Sequence, residues 1–109
     1  MKSQNALAAL SALAQETRLK IFRRLVKSGP AGETAGAIAE ALGTPAPTLS
    51  FHLKELERAG LVVQRRESRN LIYAVRTETM RDLLSYLMKD CCGGRPEICN
   101  ISVVECCDG

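Results

Sequence analysis

Apolar positions recur at helical spacing from the start of the chain. Leu7, Leu10, Leu13 and Ala14 predict a first helix over residues 4–14. A second is predicted over 16–28, with Leu19, Phe22, Leu25 and Val26 on one face and Arg23, Arg24 and Lys27 on the other. Gly29-Pro30-Ala31-Gly32 reads as a loop by composition. Residues 36–42 form a short third helix, closed by Gly43 as a left-handed cap. Thr44-Pro45-Ala46-Pro47 then opens a fourth helix, because proline is tolerated in the first turn, where amide donors lack helical partners. That helix runs to about Arg58, keeps Leu49, Leu53, Leu56 and Ala59 on one side, and ends at Gly60.

The pattern then changes period. Residues 61–66 and 71–76 are rich in β-formers and flank the polar turn Glu67-Ser68-Arg69-Asn70, which predicts a hairpin with a basic tip. Residues 78–89 return to helix. Met80, Leu83, Leu84 and Leu87 fall at i, i+3, i+4 and i+7, a stripe that must pack on the core or on a second subunit. The expected fold is mainly α with a small β-hairpin. A two-turn helix, a tight turn, a longer helix and then a basic hairpin is the order of a winged helix-turn-helix. No repeat or linker precedes residue 90. Residues 1–90 therefore read as one domain and 91–109 as a tail.

Composition sharpens this picture. A chain of 109 residues with 46% hydrophobic residues can bury one core. No apolar run is long enough to span a bilayer, and the small-residue N-terminus leads straight into a charged helix rather than a cleavage site. A cytoplasmic protein without membrane contact is expected. The net charge of +3 is uneven. Residues 1–76 hold 12 Lys/Arg against 6 Asp/Glu, whereas 77–109 hold 3 against 6. The front of the chain can approach a polyanion and the back cannot.

On the fourth helix, Thr48, Ser50, Phe51, Lys54 and Arg58 lie off the apolar stripe, where a recognition helix would meet a major groove. Phe51 either presses on a thymine methyl or is partly buried against the third helix. Arg65, Arg66 and Arg69 near the hairpin tip would grip phosphate or a minor groove. His52 is the only histidine. On a mostly apolar helix it reads as a core or cap residue, and with no second imidazole it is a poor metal ligand. It also leaves no nucleophile–base pair, so an enzyme is not expected. A metal-storage module with a helical scaffold would bind ions but ignore DNA.

All five cysteines lie between Cys91 and Cys107. Core cysteines would scatter, so this clustering points to metal or redox chemistry in a reducing compartment. Gly93-Gly94 permits a sharp reversal after Cys91-Cys92, and six residues separate Cys92 from Cys99. Three thiolates suit a soft ion. Adding Cys106 and Cys107 leaves a four-thiolate zinc or cadmium site open, and a vicinal disulfide leaves a redox switch open.

Three stretches resemble the ArsR/SmtB family of metal-responsive repressors: Glu16-Thr-Arg-Leu-Lys-Ile-Phe-Arg-Arg-Leu25, Ile38-Ala-Glu-Ala-Leu-Gly43, and Pro47-Thr-Leu-Ser-Phe-His-Leu-Lys-Glu-Leu-Glu-Arg-Ala-Gly-Leu-Val62. The likeness spans roughly residues 5–88. It implies a homodimer that occupies double-stranded operator DNA until an ion releases it, with His52 in the recognition helix. It also implies a dimer seam on the first and last helices, at Leu7, Leu10, Met80, Leu83, Leu84 and Leu87. Two familiar sensor sites of that family lack ligands here. Residues 34–38 hold no thiol, and the last helix offers only Asp82. A further branch binds trivalent arsenic through a vicinal cysteine pair and one more cysteine after the last helix. Its equivalents are Cys91, Cys92 and Cys99. The resemblance thus implies As(III) as inducer, or Sb(III), with Cd(II), Pb(II) and Zn(II) as alternatives and no organic cofactor.

Overall fold

The computed structural model describes residues 1–88. The expected tail and its cysteines, Cys91, Cys92, Cys99, Cys106 and Cys107, lie outside the described residues, as does the boundary at residue 90. Five helices and three strands follow in the order α1 (Ser3–Leu13), α2 (Glu16–Ser28), β1 (Glu33–Thr34), α3 (Ala35–Leu42), α4 (Ala46–Arg58), β2 (Val62–Glu67), β3 (Asn70–Val75) and α5 (Thr77–Met88). Each predicted helix is present, and most bounds agree within a residue.

Local chemistry fixes the boundaries. The Gln15 side chain accepts from the Arg18 amide at 2.8 Å and caps α2. The Thr34 hydroxyl accepts from the Ala37 amide at 3.1 Å and caps α3. Gly43 has φ +63° and ψ 33°, the left-handed cap expected, and the Gly43 and Thr44 amides return to the Glu40 and Ala39 carbonyls. Pro47 stands in the first turn of α4, where it forfeits no helical hydrogen bond.

The core gathers one face from every helix. Ala6, Ala9 and Ala12 of α1 meet Ile21, Phe22 and Leu25 of α2, Ile38 of α3 and Leu49, Leu53 and Leu56 of α4. Leu61 and Val62 at the base of the hairpin and Leu83 of α5 complete it. Packing α2, α3 and α4 together buries the inner side of the helix-turn-helix and leaves the outer side of α4 in solvent.

Three features depart from the sequence reading. First, the sheet has three strands in the order β1-β3-β2, not two. Glu33 and Thr34 pair antiparallel with Tyr73 and Ile72. Two residues are too few to show alternation, so composition reads only a loop before α3. Second, the hairpin turn is tighter than expected. Glu67 and Asn70 pair with each other, leaving Ser68 and Arg69 as the bend, with Ser68 at φ +56°. Third, the apolar stripes of α1 and α5 divide. On α1 the alanines go inward and Leu7 and Leu10 stay outside, Leu7 with 65% of its surface exposed. On α5, Leu83 is 3% exposed in the chain's own core and Met80 packs partly against it, while Leu84 and Leu87 remain exposed. Leu83 is therefore corrected from a seam residue to a core residue, because the i+3 position of this stripe faces the chain's own core rather than outward.

Candidate nucleic-acid interface

The exposed side of α4 is the centre of the site. Thr48, Ser50, Phe51, Lys54 and Arg58 lie outside the buried set on this helix, and all five are exposed. They occupy the angular sector that the inward residues Leu49, Leu53 and Leu56 leave free. Phe51 is 57% exposed, so burial against α3 is not its fate within the chain. A large ring held in water on a helix that is otherwise polar on that side is a surface awaiting contact. Lys54 has no ion-pair partner among the described residues, whereas Arg58 pairs with Glu55 at 3.1 Å. Arg58 stands at the C-terminal end of α4, beside a cleft of about 310 Å³ shared with Asn5, Thr79 and Asp82.

His52 faces the other way. It is 8% exposed, with its ring 5.5 Å from Phe51 in an edge-to-face arrangement. That burial fits the core position read for it on a mostly apolar helix, rather than a place on the outer face of α4. The Nδ1 atom is buried without a hydrogen-bond partner among the described residues. Burial pushes the imidazole below its ordinary pKa, the Arg18 guanidinium pushes the same way, and Glu55 opposes them. Arg18 is itself held by α1, donating from Nε to the Ala12 carbonyl at 2.7 Å.

The hairpin formed by β2 and β3 supplies the second part of the site, and its three arginines have different surroundings. Side chains alternate along β2, so Val62, Gln64 and Arg66 share one face while Val63, Arg65 and Glu67 share the other. The Arg66 face is the one turned to α4. Val62 is buried there, and Gln64 Nε2 donates to Glu57 of α4 at 3.0 Å. Arg66 and the turn residue Arg69 are exposed and have no ion-pair partner among the described residues. Arg65 is engaged elsewhere. It donates to the carbonyls of Pro30 and Ala31, at 2.9 and 2.8 Å, in the 3-10 turn Gly29–Ala31 between α2 and β1. It also bonds Glu67 at 2.9 Å. The expectation placed Arg65 beside Arg66 at DNA, whereas adjacent strand residues point to opposite faces and Arg65 is engaged with the turn within the chain. Counting parity from Val62 would have separated the two from sequence.

Sequence reasoning also missed the bracket that seats the hairpin. Glu33 accepts from Arg24 Nε at 2.9 Å and from the Ser28 hydroxyl at 2.6 Å, which pins β1 to α2. A pairing between two separate segments carries no local signal. Among the described residues no group of three or more His, Cys, Asp or Glu gathers to hold a metal ion, and no helix is long and apolar enough to cross a membrane.

An exposed helix after a tight turn, flanked by a basic hairpin, is the geometry of groove recognition, and comparison with known proteins agrees. A family profile described as a helix-turn-helix domain matches residues 13–65. Two relatives come from Bacillus subtilis (strain 168). The HTH-type transcriptional regulator YceK is 36% identical over 67% of this chain and 72% of its own length. The transcriptional repressor SdpR is 31% identical over 71% and 82%. Among solved structures, HlyU from Vibrio cholerae is 33% identical with a TM-score of 0.63, covering 80% of this chain and 97% of that one. A homodimeric winged helix-turn-helix DNA-binding domain from Mycobacterium bovis, described as a possible ArsR-family regulator, is 28% identical. Its TM-score is 0.65, over 80% and 81% of the two chains. A protein described as a possible transcriptional regulator for arsenical resistance is 26% identical, with a TM-score of 0.64 over 72% and 79%. Fold, exposed recognition helix and relatives together make this chain a member of the helix-turn-helix transcriptional regulators, with a winged fold similar to that of ArsR-type proteins.

Proposed function

We propose that the chain represses transcription as a homodimer on operator DNA and is released when a trivalent metalloid, arsenite or antimonite, is taken up by Cys91, Cys92 and Cys99. The observation that carries the DNA half is the outward face of α4, where Thr48, Ser50, Phe51 and Lys54 stand in solvent beside Arg66 and Arg69 of the hairpin. A major groove admits one helix, and the cations on either side suit the phosphate rails. The dimer half rests on Leu7, Leu10, Leu84 and Leu87, exposed on the neighbouring helices α1 and α5. A second copy would remove these side chains from water, and the homodimeric M. bovis relative supports that occupant. Two copies place two recognition helices in successive major grooves.

The inducer half rests on the donor set. Three thiols replace the three hydroxyls of As(OH)3 and release three waters, with no change of oxidation state. Trivalent arsenic needs no fourth donor, and soft thiolates select soft ions. Residues 34–38 and the last helix lack competing thiol or imidazole ligands. A solved structure 26% identical to this chain is described as a possible transcriptional regulator for arsenical resistance, which supports an arsenic-responsive role. Cys91 follows only three positions beyond the end of α5, so thiolate capture would act on the helix that bears Leu84 and Leu87.

Titration of the operator complex with arsenite, antimonite, cadmium, lead, zinc and peroxide, read by fluorescence anisotropy, tests this. Arsenite and antimonite should release DNA at the lowest concentrations. Single Cys91→Ser, Cys92→Ser or Cys99→Ser variants should bind DNA normally and fail to let go. Release by peroxide alone, reversed by a dithiol, would replace the metalloid reading with a redox one. Release by cadmium or zinc that requires Cys106 and Cys107 would replace it with a four-thiolate site. Because linkage is reciprocal, DNA should weaken arsenite binding by the same factor.

A further inference from the structure

Arg65 uses three N–H groups of its guanidinium within the chain, on the carbonyls of Pro30 and Ala31 and on Glu67. The cross-strand register explains its reach. Arg65 stands opposite Ile72, and Ile72 stands opposite Thr34, so one row runs from β2 across β3 to β1. The side chain crosses the middle strand and meets the turn that precedes β1. That turn is a firm abutment. It is closed by the Gly32 amide on the Gly29 carbonyl at 3.1 Å and bounded by two glycines at φ +66° and +68°. A Cβ on Gly32 would collide with the Tyr73 carbonyl oxygen, so the turn is also seated directly on β3.

The outer part of the hairpin has little else to hold it. Backbone pairing with β1 stops at Ile72, leaving residues 66–71 as a two-stranded ribbon, which twists and bends easily. Arg66 leaves this ribbon on the opposite face, the one from which Gln64 reaches Glu57 of α4. We propose that Arg65 is a positioning residue: it sets the pitch of the hairpin against α4 so that Arg66 and Arg69 meet the phosphate backbone, and it does not touch DNA itself. This rests on the reading of the hairpin as a DNA contact.

The test compares operator affinity over a series of salt concentrations for Arg65→Ala, Arg65→Lys, Arg66→Ala/Arg69→Ala and the triple variant, each as the full chain. Arg65→Ala should weaken binding about tenfold, within the usual range of coupled neighbours. Arg65→Lys should lose as much, because an ammonium cannot reproduce the guanidinium fork on two successive carbonyls. In the Arg66→Ala/Arg69→Ala background, Arg65→Ala should add nothing to either the affinity loss or the salt slope. In the free protein, backbone amides of residues 66–70 should exchange faster in Arg65→Ala and unchanged in Arg66→Ala/Arg69→Ala. Normal binding by Arg65→Lys together with an additive loss in the triple variant would make Arg65 a phosphate contact and overturn the proposal. Unchanged amide exchange in Arg65→Ala would overturn it as well. Faster exchange with no effect of Arg66→Ala/Arg69→Ala on DNA would instead refute the hairpin as a DNA contact.

Discussion

The Ser3 hydroxyl and the Tyr86 phenol stand 2.6 Å apart, joining the first turn of α1 to the last turn of α5. The two helices that carry the exposed leucines are thereby tied to each other. Leucine positions on this pair of helices fall into two classes with different consequences. Leu87→Glu or Leu7→Glu should separate the proposed dimer while leaving the monomer folded, because both side chains are exposed within the chain. Leu83→Ala should instead cost about 2–5 kcal/mol of unfolding free energy, as for other buried leucines, and reduce dimer content only by depleting the folded chain. Sedimentation combined with denaturant unfolding distinguishes the two.

Lys54 and Phe51 share the outer face of α4 but act through different physics. Lys54→Ala should lower affinity for every DNA sequence alike and reduce the salt slope by about 0.9 for each phosphate that the ammonium neutralises. Phe51→Ala should leave the salt slope intact and narrow the gap between operator and random DNA by about 1–3 kcal/mol, the scale of one base pair's readout. Parallel titrations on operator and scrambled duplexes measure both.

Stability should fall on mild acidification because of His52. Its ring is held neutral in the folded chain by burial and by Arg18, with Glu55 opposing. In the unfolded chain it takes a proton near its ordinary value of 6.5. The contribution is therefore fully present above pH 6.5, declines as pH falls through that value, and levels off once the folded ring also protonates. Denaturant unfolding between neutral and weakly acidic pH should show this decline, and His52→Gln should flatten it.

Two glycines with similar positive φ should respond very differently to alanine. At Gly43 nothing lies within 4 Å of an added Cβ, so Gly43→Ala should cost about 1 kcal/mol, the left-handed backbone penalty alone. At Gly32 the same atom collides with the Tyr73 carbonyl, a backbone group that cannot swing aside. Gly32→Ala should destabilise the chain well beyond that and disturb the pairing of β1 with β3. Thermal unfolding of the two variants side by side checks the ranking.

Hydrophobic periodicity, the capping residues and the Pro and Gly positions determined five helices and a hairpin in order. These signals are local, and each is read within a turn or two of chain. The outward residues of α4 were legible for the same reason: once Leu49, Leu53 and Leu56 face in, Thr48, Ser50, Phe51 and Lys54 must face out. Only tertiary structure decided which of two apolar residues on one stripe is core. Leu83 and Leu84 are adjacent and chemically identical, and only the placement of the other helices sends the first inward. It likewise decided the third strand and its Arg24–Glu33 bracket, and the diversion of Arg65 to the Pro30 and Ala31 carbonyls. Each of these depends on segments distant in sequence meeting in space, and no periodicity along the chain encodes where they meet.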